Sequence, residues 1–115
     1  MDSKIIEVIE SYNKYLEGLP KGCLAIAEQI RKNDIPQALQ SILHFSEGAS
    51  WLTTASDLLS KNNILVMFEV ERVHEFLEEV NNGLSIQDYV LVADMFEYEI
   101  APFFEETPYI VGVQS

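Results

Sequence analysis

The sequence is short of bases, of cysteine and of residues that break helices. Seven Lys and Arg stand against 19 Asp and Glu, a net charge of −12. A field of that sign repels phosphate backbones, and no basic stripe with interleaved aromatics is present, so nucleic acid is not expected as a partner. The one cysteine, Cys23, excludes an intrachain disulfide. Apolar runs stop far short of the ~20 residues of a membrane-spanning helix. The run ILVMF, residues 64–68, therefore signals a buried element only. The N-terminus carries no basic region, apolar stretch and small-residue cleavage site in succession, so the chain reads as cytoplasmic. Four prolines and five glycines in a chain that is 48% hydrophobic argue for a globular protein and against a disordered acidic tail.

What is present is helical patterning over the length of one domain. A chain of 115 residues can bury a single core without disulfide or metal staples. Apolar residues recur at steps of three and four, which predicts four helices. The first seam, Ile5, Ile9, Tyr12, Leu16, Leu19, Cys23, Ile26 and Ile30, crosses EGLPKG (17–22) without losing phase. An interior proline costs about 3 kcal/mol and each glycine roughly 1 kcal/mol. Burial at about 1.5–3 kcal/mol per large side chain outweighs this, so one long helix kinked at Pro20 is expected.

KNDIPQ (32–37) punctuates the chain: Asp34 is a cap, Pro36 suits a first turn and Gln37 occupies the capping-box return position. Helix two then runs to about Lys61 with the seam Ile35, Leu39, Ile42, Phe45, Ala49 and Leu52. A second stripe on that helix consists of His44, Gly48, Trp51, Ala55 and Leu58. After KNN (61–63), helix three is expected to carry Val66, Val70, Val73, Leu77 and Val80. NNG (81–83) reads as its stop, with Gly83 left-handed. Ser85 is the expected cap of helix four, whose apolar face is Ile86, Tyr89, Val90, Ala93, Phe96, Ile100, Phe103 and Phe104. Short connections between long amphipathic helices imply an all-α, up-down-up-down antiparallel bundle over residues 1–106. An apolar tail follows, residues 107–115.

The charge is uneven. Residues 1–61 hold eight acids and six bases, whereas residues 62–115 hold eleven acids and only Arg72. Helix four alone carries six carboxylates in DYVLVADMFEYEIAPFFEE (88–106). On a wheel of about 100° per residue, five of these fall on the solvent side or its edge and Glu97 falls roughly 40° from the apolar centre. Glu97 is thus the buried polar candidate, with Tyr12, Tyr15, Trp51, His44, His74 or Arg72 as its partner.

Catalytic patterns are thin, and no enzyme is expected. Carboxylate-bridged metal bundles use two Glu-x-x-His motifs. Glu71–His74 supplies one, and at His44–Glu47 the order is reversed. Glu71, His74, Asp94 and Glu97 form the alternative, metal-binding reading; no cofactor is otherwise implied. Cys23 lies on an apolar seam and reads as an inert core thiol. No nucleophile elbow, phosphate loop, zinc quartet or calcium loop is present. An apolar ligand pocket among Tyr12, Phe96 and Phe103 would have no polar group to specify its ligand.

The stretch KNDIPQALQSILHFSEGASWL with DYVLVADMFEYEIAPFFEE resembles an uncharacterised family of short, acidic helical proteins from Gram-positive bacteria. The resemblance covers about Leu24 to Glu106 and is carried by Asp88, Tyr89, Ala93, Asp94, Glu97, Tyr98, Glu99 and Pro102. It implies a helical fold and no particular activity. A looser similarity is to the flagellar export chaperone that binds flagellin, through an I-x-x-x-D-I-x-x-A join at Ile30, Asp34, Ile35 and Ala38. The leading expectation is a non-enzymatic bundle that binds another protein, or itself as a homodimer. It would do so through His44, Gly48, Trp51, Ala55 and Leu58, or through Tyr109 and Ile110 in the tail.

Overall fold

The computed structural model describes residues 2–111 and contains helices and no strand among them. Helix α1 spans Ser3–Arg31, α2 Ile35–Lys61 and α3 Val70–Ser85. The fourth helix comprises α4 (Tyr89–Met95), a π-helical segment (Phe96–Ile100) and α5 (Ala101–Glu106). Met95 and Ala101, which flank the π segment, both have right-handed helical torsions, so the three run on as one helix.

The four helices pack against each other as an antiparallel bundle. At 1.5 Å per residue α1 and α2 are ~44 and ~40 Å long. The molecule is only 47 Å in its longest dimension, so the two lie side by side. Helix α1 packs along α2 and along the whole fourth helix, and α3 packs mainly on α4. The tail beyond Val111 lies outside the described residues.

Helix α1 passes through Pro20 unbroken, as its seam requires. Ile9, Tyr12, Leu16, Leu19, Cys23, Ile26 and Ile30 are all buried and Ile5 is partly so. Replacing Pro20 with alanine restores an N–H for the helix ladder and is expected to raise stability by about 1–3 kcal/mol, read as a higher urea midpoint at unchanged m. A lower midpoint would mean that the ring's packing outweighs the lost hydrogen bond.

Several sequence expectations shift, among them the Asp34 cap: Asp34 holds the N-cap position of α2, but its side chain makes no capping hydrogen bond. The helical pattern at Val66 does not extend α3, because residues 64–69 are non-helical and alternate instead. Ile64, Val66 and Phe68 pack on the core while Leu65 and Met67 face solvent, so ILVMF is only half-buried. Gly83 does not stop α3; the helix continues to Ser85, and the left-handed residue is Gln87, at φ 56°. Gly83 is small for a different reason: a Cβ there would stand 2.8 Å from Val92 Cγ2 of α4. Ser85 is likewise not the cap, since its hydroxyl donates back to the Asn82 carbonyl. Asp88 caps α4 by accepting from the Leu91 N–H at 3.1 Å. On α2, Ala38 takes the core position expected of Leu39, which is exposed.

The fourth helix departs from an ideal wheel. Val92, Met95 and Ala101 join Ala93, Phe96, Ile100 and Phe104 in the core, while Val90 is 73% exposed and Ile86 sits in a turn. The helix is covered by α1 on one side and α3 on another, which widens and turns its buried arc. Pro102 accounts for the π segment: its ring collides with the carbonyl one turn back, at Tyr98, and a wider turn there relieves the collision. Tyr12 and Phe96 are fully buried and Phe103 partly so, all three packed into the core. They pack edge-on against Phe68, Phe45 and Phe76 respectively.

Candidate interaction site

The outer side of the α1–α2 pair carries an open groove of about 650 Å³. Helix α1 supplies Ser11, Lys14, Tyr15, Gly18, Gly22 and Ala25 to it, with Leu19 and Ile26 at the base. Helix α2 supplies Ser41, His44 and Phe45. A Cβ at Gly18 or Gly22 would meet nothing within 4 Å, so the two glycines leave the groove open instead of accommodating a neighbour within the chain. No carboxylate lines it, although the molecule carries 19.

An aromatic latch stands at one end. The Tyr15 ring lies over Gly48, where a Cβ would fall 1.5 Å from the phenol oxygen, so only glycine admits it there. Tyr15 meets Trp51 edge-on, with centroids 6.1 Å apart. Burial raises the Tyr15 pKa above its ordinary value, and the nearby Cys23 adds to this. Trp51 is 40% exposed and Leu58, two turns further, 43%. His44 and Gly48 thus reach this face with Trp51 and Leu58. Ala55 does not: it is buried beneath them. The role of Tyr15 and of the small α1 residues was missed by sequence reasoning. The signal was there in Ser11, Gly18, Gly22 and Ala25, which recur at helical spacing on one side of α1.

The tail is held by its own chain. The Asn13 carboxamide donates to the Ile110 carbonyl at 3.0 Å and accepts from the Ile110 N–H at 2.8 Å. Ile110 is 6% exposed and belongs to the core, whereas Tyr109 faces solvent. In this arrangement Ile110 is covered and cannot itself meet a partner.

Three of the six carboxylates of the fourth helix, Asp94, Glu97 and Glu99, join it to other helices. Glu97 is half-buried, and its partner is none of those expected from sequence but Arg31, at the end of α1. Arg31 reaches Glu97 at 2.8 Å and Asp94 at 2.6 Å, forking between the two. Arg72 of α3 lies over the Phe76 ring and contacts Glu75 at 3.0 Å and Glu99 at 3.6 Å. Glu71 and His74 are exposed on α3. The four residues of the metal reading are not brought together, and no group of three or more His, Cys, Asp or Glu is placed to hold a metal among the described residues. Cys23 is buried, and burial pushes its thiol up to about 12, leaving it protonated at neutral pH. No helix among the described residues is long and apolar enough to cross a membrane.

No curated protein and no solved structure matched the chain. A family model does match, over residues 7–107, which takes in all but the first turn of α1, the remaining helices and the aromatic latch. The chain belongs to the family described as Domain of unknown function (DUF8042).

Proposed function

We propose that this protein is a non-enzymatic interaction module, adaptor-like or chaperone-like, which takes an amphipathic helical segment of another protein along the outer α1–α2 face. One observation carries the reading: a strongly acidic molecule keeps one long apolar groove clear of carboxylates, and none of its own helices covers that groove. An apolar helix face seats there without meeting a desolvated charge, which is the usual mode of helix-in-groove recognition. The open space above Gly18 and Gly22 lets a helix backbone come close, and Trp51 beside Tyr15 offers an aromatic anchor of the kind that dominates interface energetics. The chaperone-like part rests on the α1–α2 join, where Ile30 and Ala38 are buried and Asp34 precedes the first turn of α2. A cytoplasmic, bacterial setting is part of the same proposal, as is self-association through this face.

The test is Trp51→Ala, because Trp51 is partly exposed and its loss leaves the core intact. Light scattering coupled to size exclusion, and affinity capture from a bacterial lysate, are compared for the two proteins at equal helicity. An interface anchored by Trp51 loses about 2–4 kcal/mol on truncation, roughly 30- to 1000-fold in affinity. Identical self-association and an identical set of captured proteins for both would sink this reading.

A further inference from the structure

Asn13 treats Ile110 as a neighbouring strand would. Both polar backbone groups of that one residue are taken by one carboxamide, across a sequence separation of 97. The side chains on either side alternate, with Tyr109 out, Ile110 in and Val111 out, which is the pattern of extended chain. A carboxamide that satisfies a backbone N–H and C=O reads no side chain. Selectivity therefore comes from the apolar socket that buries Ile110. Among the described residues, Ile110 and these two hydrogen bonds anchor the tail beyond Thr107, whose hydroxyl donates to the Phe103 carbonyl, and a cleft of about 680 Å³ adjoins it. Lys14, Glu17, Pro20 and Lys21 of α1 line that cleft with Phe104, Thr107 and Tyr109.

We propose that Asn13 and the Ile110 socket form a receptor for an extended peptide with an aliphatic side chain, filled in cis by residues 109–111 and open in trans to an extended apolar segment of a partner protein. The tail itself defines the ligand chemistry. A second copy's tail would offer the same contacts as the cis tail while bringing two molecules of charge −12 together. A longer segment of another protein adds contacts along the α1 and Phe104 walls of the adjoining cleft, which remain when Tyr109 leaves with the tail, and can outcompete the tail. Asn13 and Ile110 do not line the α1–α2 groove, although the adjoining cleft shares Lys14 and Gly18 with it, and the test of this site is independent of the one above.

The full chain carrying Ile110→Glu ejects its own tail, since a carboxylate does not enter an apolar socket. A fluorescein-labelled peptide with the sequence of residues 106–111 is then titrated and followed by anisotropy. Saturable binding to this variant is expected, with at least about tenfold weaker binding to wild type, whose tethered tail competes at an effective concentration of about 1 mM. Adding Asn13→Ala to the variant, or Ile110→Glu to the peptide, is expected to remove at least about tenfold in affinity. No saturable binding to the folded variant, equal binding to wild type, or indifference to Asn13→Ala overturns the proposal. If Ile110→Glu loses helicity, wild-type protein answers by NMR: millimolar peptide shifts the Ile110 amide resonance if the tail is displaced, and an unmoved resonance overturns it. A wild-type dimer that Ile110→Glu dissolves also overturns it, because the occupant is then a second copy.

Discussion

Phe45→Ala is expected to lower the unfolding free energy by about 3–5 kcal/mol, the range for a buried aromatic truncated to alanine. Phe45 is the residue through which α2 meets two rings of the fourth helix. Its ring stands edge-on to Phe96 at 5.2 Å and to Phe104 at 6.0 Å, and Phe104 continues the cluster to Phe68 and Phe103. Truncation removes the transfer free energy of the ring and leaves a void among rings that cannot close over it. Small domains are stable by about 5–15 kcal/mol, so the loss is a large part of the whole. Urea unfolding monitored by circular dichroism checks this, with Leu43→Ala as the control. Leu43 is exposed on the same helix and is expected to cost within about 0.5 kcal/mol. A Phe45→Ala cost no larger than the control's would show that the aromatic cluster does not hold the bundle.

The opposite sign is expected at Tyr12 and Ser56. Their hydroxyls are both buried and neither has a hydrogen-bond partner in good geometry. They lie close enough for Ser56 to lower the Tyr12 pKa somewhat, but burial is the larger influence and raises it. A buried polar group left unsatisfied costs about 1–3 kcal/mol, whereas removing both members of such a pair is neutral or stabilising. The double variant Tyr12→Phe, Ser56→Ala is therefore expected to gain about 1–3 kcal/mol, measured as a higher urea midpoint. The pH dependence has a definite sign. With the native pKa raised above 10, the unfolded state ionises first, so wild-type stability falls as pH rises past 10. Tyr12→Phe removes that part of the decline. A destabilised double variant would mean that a bound water or a relaxed geometry satisfies both hydroxyls.

Much of the helical framework was legible along the chain. Seven of the eight α1 seam residues are buried and the eighth partly so, and the helix runs through Pro20 because that seam holds its phase. Helix ends were less legible. Asn33, Asn63 and Gln87 take the left-handed conformation after α1, α2 and α3, a role sequence reasoning gave to Gly83. ILVMF misled because a short apolar run fits a strand-like or a helical course equally well, and no cap follows Asn63 to start a helix.

The candidate site was half legible. His44, Gly48, Trp51 and Leu58 stood out as a stripe on α2, but on α1 Gly18 and Gly22 read only as a cost to the helix and Tyr15 only as a candidate partner of Glu97. Periodicity states which residues of one helix share a side. It does not state which side a neighbour covers.

What the sequence by itself determined is the local part: four helices, the seam of α1, and the surplus of acid in the second half. These follow from spacing and propensity within a few turns. The tertiary structure decided which faces stay bare and which charges meet. Arg31 finds Asp94 across 63 positions and Asn13 finds Ile110 across 97, pairings set by how α1 lies against the fourth helix. The same packing puts α3 and the fourth helix on one side of the α1–α2 pair and leaves the groove on the other. Such contacts depend on the arrangement of whole elements, to which no local pattern in the chain is sensitive.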